Sequence, residues 1–319
     1  SSLPVMNQFG TTVSVSSFPS LDNDGEWIAL KTPDGRMIHA VQYSGDWYGN
    51  ALKKEGGWSL EMKDTHNPCS GKSNWSASTH PAGGTPGKKN ATDGINEDNE
   101  PPQLLRSYNN DSVTIRLVFD EALDSLSAAL ISHYSSGQGL TIINALPVSP
   151  LFNEVQLKLS AVLQYNTVYT IGVTGLTDCK GNAMTAMEVK AGRPADAGPQ
   201  DMAINEILFN PAPNGYDYVE FFNRGTKIID AAKLFIANRN SSGLISSIRA
   251  LSPLPFYIFP GEYMVVTEEA DQLPLFYQVL NPAAVLPVSS LPSFPDDEGD
   301  VVLLNAQGAV ADEVKYKDD

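Results

Sequence analysis

The six residues Val15-Ser16-Ser17-Phe18-Pro19-Ser20 recur as Val288-Ser289-Ser290-Leu291-Pro292-Ser293, 273 positions further on (15 to 288). An internal repeat constrains the fold strongly, because each copy must be one supersecondary unit. The likeness runs on. Asp22-Asn23-Asp24-Gly25-Glu26-Trp27-Ile28-Ala29-Leu30 answers to Asp296-Asp297-Glu298-Gly299-Asp300-Val301-Val302-Leu303-Leu304. Asp34-Gly35 answers to Gln307-Gly308, and Val41-Gln42-Tyr43 to Val314-Lys315-Tyr316, with one-residue shifts in the turns. Each copy reads as acidic turn, strand, Gly turn, strand, which is a β-hairpin pattern.

The flanks of the two copies differ. Strand-like sequence precedes the second copy, whereas the first is followed by Trp58, Trp75 and a Gly/Pro/Lys stretch. The first copy thus lacks a leading half and the second a tail, which predicts an open sheet edge at the first. Three arrangements fit. The sequence is a piece of a longer chain, a neighbouring copy supplies strands by strand exchange or domain swapping, or residues 203–272 pair in cis with residues 3–90.

A chain of 319 residues with 42% hydrophobic residues supports two or three packed domains. It has no apolar run long enough for a transmembrane helix. The net charge of −16 argues against nucleic acid, since phosphate neutralisation needs clustered Lys and Arg. The basic pairs are only Lys53-Lys54 and Lys88-Lys89. Cys69 and Cys179 are too few for a disulfide framework and read as two free or buried thiols.

Short strands separated by turn residues dominate the pattern, which predicts an all-β chain of Ig-like sandwiches in tandem. Residues 113–119, 154–159 and 167–173 are strands, the first and third alternating between two faces. Glu121 to Tyr134 has helical periodicity through Leu123, Leu126, Leu130 and Ile131, with Asp120 as cap, although a lone short helix fits as well. A second short helix is expected over Ala270 to Leu280. The Pro/Gly-rich residues 81–102 and 191–201 read as linkers. They divide the chain into 1–92, 100–195 and 202–319.

Candidate chemistry is sparse. His39, His66, His80 and His133 have no metal-ligand spacing, and no HExxH, GxSxG or Walker loop occurs. Asp22-Asn23-Asp24-Gly25-Glu26 and Asp296-Asp297-Glu298-Gly299-Asp300 cluster oxygen ligands that could hold Ca²⁺, but the simpler reading is an acidic hairpin turn in water. Trp47-Tyr48, Trp58 and Trp75 could stack on sugar rings, but more often such rings fill a sandwich core or rim. No catalytic residue, cofactor site or metal site is assigned.

With the segments separated, residues 202–319 resemble a lamin tail domain, an immunoglobulin-like sandwich. The resemblance rests on Ile204-Asn205-Glu206-Ile207, Asn210-Pro211, Asp217 to Asn223, Pro260 to Val266 and the second repeat copy. In this reading Tyr218, Val219 and Phe221 supply core, while Asp217 and Glu220 face solvent or a turn. Residues 1–92 resemble the C-terminal part of the same family through the first copy, Gly57 to Glu61, Asn74-Trp75, Ser78 and Gly83 to Gly87 with Asn90. The middle resembles a bacterial Ig-like module, opening at Pro101-Pro102 and closing at Leu176 to Asn182. Nothing resembles the coiled-coil rod of a nuclear lamin.

The resemblance implies a secreted or outer-surface protein of Bacteroidetes-type bacteria. The expected function is a non-enzymatic structural, adhesive or interaction role toward an unknown protein or glycan, in an extracytoplasmic location. The alternatives are an accessory, non-catalytic portion of a larger secreted hydrolase and a Ca²⁺-stabilised adhesin.

Overall fold

A computed structural model describes residues 7–67 and 71–317. The chain is all-β, and its described helices are single turns. The N-terminal segment carries β1 (Gly25–Lys31), β2 (Met37–Ser44), β3 (Leu60–Met62) and β4 (Trp75–Ala77). They form two separate antiparallel pairs, β1-β2 and β3-β4.

The stretch after β4 is packed rather than a free linker. Asn90 Nδ2 donates to the Met62 carbonyl, and Gly94 N to that of Lys63. Glu61 accepts from Thr85 Oγ1 and from Thr92. Burial works to raise the Glu61 carboxyl, but hydrogen bonds from Thr85, Ser78 and Thr92 prevail and hold it below its usual value. The interior here is polar: Asn74 donates to the Asp64 and Asn67 carbonyls and accepts from Asp64 N.

The middle segment builds a sandwich from β5 (Leu104–Asp111), β6 (Thr114–Phe119), β7 (Tyr134–Ser136), β8 (Ile142–Pro147), β9 (Glu154–Leu159), β10 (Tyr169–Val173) and β11 (Met187–Ala191). One sheet has the order β5-β6-β9-β8, the other β11-β10-β7. Alternation dictates the layering: Val155, Leu157 and Leu159 of β9 and Tyr169, Ile171 and Val173 of β10 point into one core. Strand β6 does not alternate as expected. As a central strand it is buried on nearly both faces, only Arg116 remaining half-buried.

The expected helix over 121–134 shrinks to Ser125–Ala128, capped by Asp124 rather than Asp120. Leu123 leaves the helical face to bridge Asp178 and fill the core, while Leu126, Leu130 and Ile131 are exposed. Tertiary burial of one leucine outweighs the local period. The helix expected within 270–280 is the single turn Leu273–Phe276.

The C-terminal segment contains β12 (Met202–Leu208), β13 (Tyr218–Asn223), β14 (Ile229–Asp230), β15 (Leu234–Arg239), β16 (Ile245–Ala250), β17 (Tyr257–Ile258), β18 (Tyr263–Thr267), β19 (Val285–Pro287), β20 (Glu298–Asn305) and β21 (Val310–Lys317). Sheet β12-β13-β18-β19 faces sheet β16-β15-β20-β21 across a core that includes Met202, Phe221, Ile236, Met264, Val301 and Leu303. Val219 and Phe221 point inward, so Tyr218 lies on the opposite face and supplies no core, a correction that the strand period itself requires.

The two repeat copies pair identically at a constant offset of 273 (15 to 288). Glu26 faces Tyr43 as Gly299 faces Tyr316, and Ile28 faces Val41 as Val301 faces Val314. The bulge after Leu30 returns after Leu303. Gly35 N donates to Thr32 O, and Gly308 N to Asn305 O, each glycine in the left-handed region. Tyr43 Oη donates to Asp22 O at 2.6 Å and Tyr316 Oη to Pro295 O at 2.9 Å. Matching Gly25 to Gly299 is therefore off by one; the structural counterpart of Gly299 is Glu26. Among the described residues, pairing in cis between 203–272 and 3–90 does not occur, since β12, β13 and β18 pair with one another and β15 pairs with β20.

Residues 191–201 are packed as well. Arg193 lies 4.0 Å over the Tyr165 ring, and Ala197 is part of the C-terminal core. Ile228, Tyr257 and Phe259 form a cluster with Tyr108 and Val168 of the middle segment. Tyr257 Oη donates to Asn109 Oδ1 at 2.5 Å and accepts from Asn109 N at 3.1 Å. Gly192 permits this approach: a Cβ there would run into the Ile228 side chain and sit 2.8 Å from Thr167 O. Gly192→Ala should therefore destabilise this junction by about 1–3 kcal/mol, the usual cost of overpacking. Calorimetry should show the middle and C-terminal cores melting further apart than in the parent chain.

Candidate functional site

The acidic turns singled out in the sequence are solvent-exposed and serve their own loops. Asp22 Oδ1 accepts from Asp24 N, Glu26 Oε2 from Asp22 N, and Asp297 Oδ1 from Glu298 N. The aromatic cluster does assemble. Trp47 and Trp75 lie 6.0 Å apart, Tyr48 Oη donates to Trp58 O, and Lys53 Nζ sits 4.4 Å over the Trp58 ring. These rings are half-buried at the rim of the N-terminal segment, so they pack rather than form an open platform. The four histidines remain scattered over separate elements. The Gly83-Gly84 stretch packs on Gly57 and Ser59 as part of the scaffold.

Carboxylates converge elsewhere, at the boundary of the N-terminal and middle segments. Asp98, Glu121 and Asp178 each place an oxygen within 4.8 Å of the others. Asn182 Nδ2 ties this boundary by donating to Asp98 O and to Asp178 Oδ2. Next to it, Cys179 is disulfide-bonded, which corrects the expectation of two free thiols; Cys69 lies outside the described residues. Three carboxylates fall short of the six or more oxygens a hard cation prefers. Their evident property is repulsion. Burial, followed by Asp98, Asp120, Asp178 and Glu100, pushes Glu121 up to about 8.

A groove of about 860 Å³ opens between the middle and C-terminal segments. Its floor is the outward face of the β12-β13-β18-β19 sheet, with Tyr218, Glu220, Tyr263 and Val265. Arg106 on β5 and Lys190 on β11 form one wall, and Tyr277 to Leu280 the other. The strand period puts these residues outside because Val219, Phe221, Met264 and Val266 occupy the core.

Rings and carboxylates alternate across the groove. Tyr218 and Tyr277 meet edge to face at 5.8 Å, and Tyr263 packs on Phe222 at 4.6 Å. Glu206 accepts from Tyr218 Oη, and Glu220 accepts from Asn205 Nδ2 at 2.7 Å. Burial first, then the bond to Glu206, raises the Tyr218 hydroxyl above its ordinary value, keeping it a donor. Lys190 Nζ crosses the junction to Glu262 at 2.6 Å and fixes the wall against the floor. Near the second acidic turn, burial, then Asp296 and Glu268, push Asp217 up to about 6. Sequence reading missed the groove because its residues come from strands far apart in the chain. The alternation in 218–223 was the one local signal available, and it marks Tyr218, Glu220 and Phe222 as an outward row.

Residues 89–190 match the bacterial Ig-like domain family. No curated protein matches the chain. Among solved structures, the N-terminal part of the bacterial S-layer protein SbsC aligns at 13% identity and a TM-score of 0.26, covering 69% of this chain and 45% of that one. A DUF4876 family protein from Bacteroides thetaiotaomicron aligns at 12% identity and a TM-score of 0.24, covering 54% of this chain and 63% of that one. The adhesin InvE of Yersinia pseudotuberculosis aligns at 11% identity and a TM-score of 0.20, covering 68% of this chain and 58% of that one. The chain spans less than half the length of the SbsC fragment. Overlaps this loose carry no functional argument.

Because Glu121 holds its proton more tightly when folded than at its ordinary 4.5, stability should fall as pH rises from about 4.5 toward about 8. Glu121→Gln should remove part of that fall and raise the melting temperature at about pH 8, with no gain near pH 4.5. Thermal melts across this range measure it.

Proposed function

We propose that this chain is a non-catalytic, modular β-sandwich protein of a bacterial extracytoplasmic surface, acting as a rigid spacer that also binds a protein or glycan. In this reading residues 1–92 and 202–319 are lamin-tail-like and residues 100–195 are the bacterial Ig-like module. The observation that carries it is the groove. It joins two sandwiches through a shared apolar cluster and an ion pair, and it presents aromatic rings and carboxylates to solvent. Such a mix of faces and polar groups suits recognition.

The Ig-like match over 89–190 supports a modular, surface-type reading. Among the described residues no helix is long and apolar enough to cross a membrane. The groove pairs its carboxylates with Tyr, Asn and Lys donors, so its chemistry is hydrogen bonding rather than nucleophilic attack.

Screening the chain against glycan and extracellular-matrix arrays tests the proposal. For any ligand retained, Tyr263→Ala and Tyr277→Ala should each weaken binding roughly tenfold, the usual loss for an interface aromatic. Both rings lie outside the apolar cores, so the melting temperature should stay within about 2 °C, consistent with a change below 0.5 kcal/mol. Binding that survives both substitutions would place the recognition surface elsewhere.

A further inference from the structure

The two hairpins pair alike but are buried differently. Positions that are core in the C-terminal copy are bare in the N-terminal one. Leu303 is fully buried and its counterpart Leu30 is 60% exposed; Ala311 is 5% exposed and Ile38 57%. Val288 and Phe294 are buried, while Val15 and Leu21 are exposed. Leu291 packs against the C-terminal core, and its counterpart Phe18 is 70% exposed.

The edges tell the same story. Leu303, Leu304 and Asn305 pair with Ile236, Phe235 and Leu234 of β15. Their counterparts Leu30, Lys31 and Thr32 have no strand on that side among the described residues. Asp312 accepts a hydrogen bond from Ile204 N of β12, joining the two sheets. Its counterpart His39 holds a buried Nε2 with no partner. The four apolar clusters of the described residues all begin at or after Leu104.

We propose that the N-terminal hairpin is the acceptor half of a sandwich. Its occupant is a polypeptide front half of the kind residues 202–287 exemplify. A β15-like strand runs antiparallel along Ala29–Thr32, and a β12-like strand brings an amide to His39 Nε2. Counting excludes a second copy of this chain as the source. The described residues hold two copies of this hairpin and one front half, and that front half is committed to residues 288–317. Lending it to a second molecule would uncover as much apolar face as it covers. The front half therefore comes from polypeptide other than these residues. The inference rests on the internal repeat and stands apart from the groove.

The test compares the full chain with a fusion carrying a second copy of residues 202–287 ahead of Val13, using amide exchange, dye binding and light scattering. In the full chain, the amides of Leu30 and Lys31 should exchange at least tenfold faster than those of Leu303 and Leu304. In the fusion they should slow by tenfold or more, dye binding should fall, and the species should stay monomeric. A dimeric parent chain already protected at Leu30 would overturn the proposal, since a second copy would then cover the face. So would a fusion that leaves Leu30 unprotected while Leu303 stays protected. A second arm needs no fusion: Leu30→Asp in the parent chain should leave the melting transitions in place, whereas Leu303→Asp should abolish the C-terminal one. Equal damage from both would show the face already covered and sink the idea.

Discussion

The pairing of β15 with β20 is the interaction on which the C-terminal sandwich depends. It turns a two-stranded hairpin into one half of a four-stranded sheet and closes that sheet over Phe221, Met264 and Val266. A lone hairpin is marginal in water, because it cannot bury enough apolar area to offset chain ordering. Each Val, Leu or Ile taken fully out of water contributes roughly 1.5–3 kcal/mol. Val301 and Leu303 gain that contribution; Ile28 and Leu30, in the same pairing geometry, gain only part of it. One repeat therefore illustrates both outcomes of a single local structure.

The N-terminal segment compensates with polar order. Glu61, Asp64, Asn74 and Ser78 are buried and hydrogen-bonded where a sandwich would hold hydrocarbon, while the buried Asn67 Nδ2 has no partner among the described residues. Such networks are stabilising only when fully satisfied. The Gly/Pro-rich residues after β4 supply several of the partners, which is why a stretch with linker composition folds back onto the sheet. The middle and C-terminal segments meet differently, through aromatic and aliphatic side chains around Tyr257 and through Lys190 with Glu262. That contact holds the walls of the groove at a set distance from its floor. A site at such a junction inherits its shape from both sandwiches.

Local features were legible because they depend on neighbours in sequence. Alternation in 167–173 marked a strand with a defined inner face, and the turn residues marked hairpins. Where the reading failed, a distant contact overrode a local pattern. Leu123 left its helical period to fill the core, and Cys179 found a disulfide partner that two scattered cysteines did not announce. Gly25 aligned with Gly299 by residue type, while strand pairing aligned Glu26 with Gly299. Asp98, Glu121 and Asp178 come from three separate stretches, so no motif spacing foretold their convergence.

The sequence by itself determined that residues 15–43 and 288–316 form the same kind of hairpin, because turn chemistry and a two-residue period act within one short segment. Only the tertiary structure decided which of the two is core and which is bare. Burial is set by the strands that lie across a sheet, and those come from elsewhere in the chain.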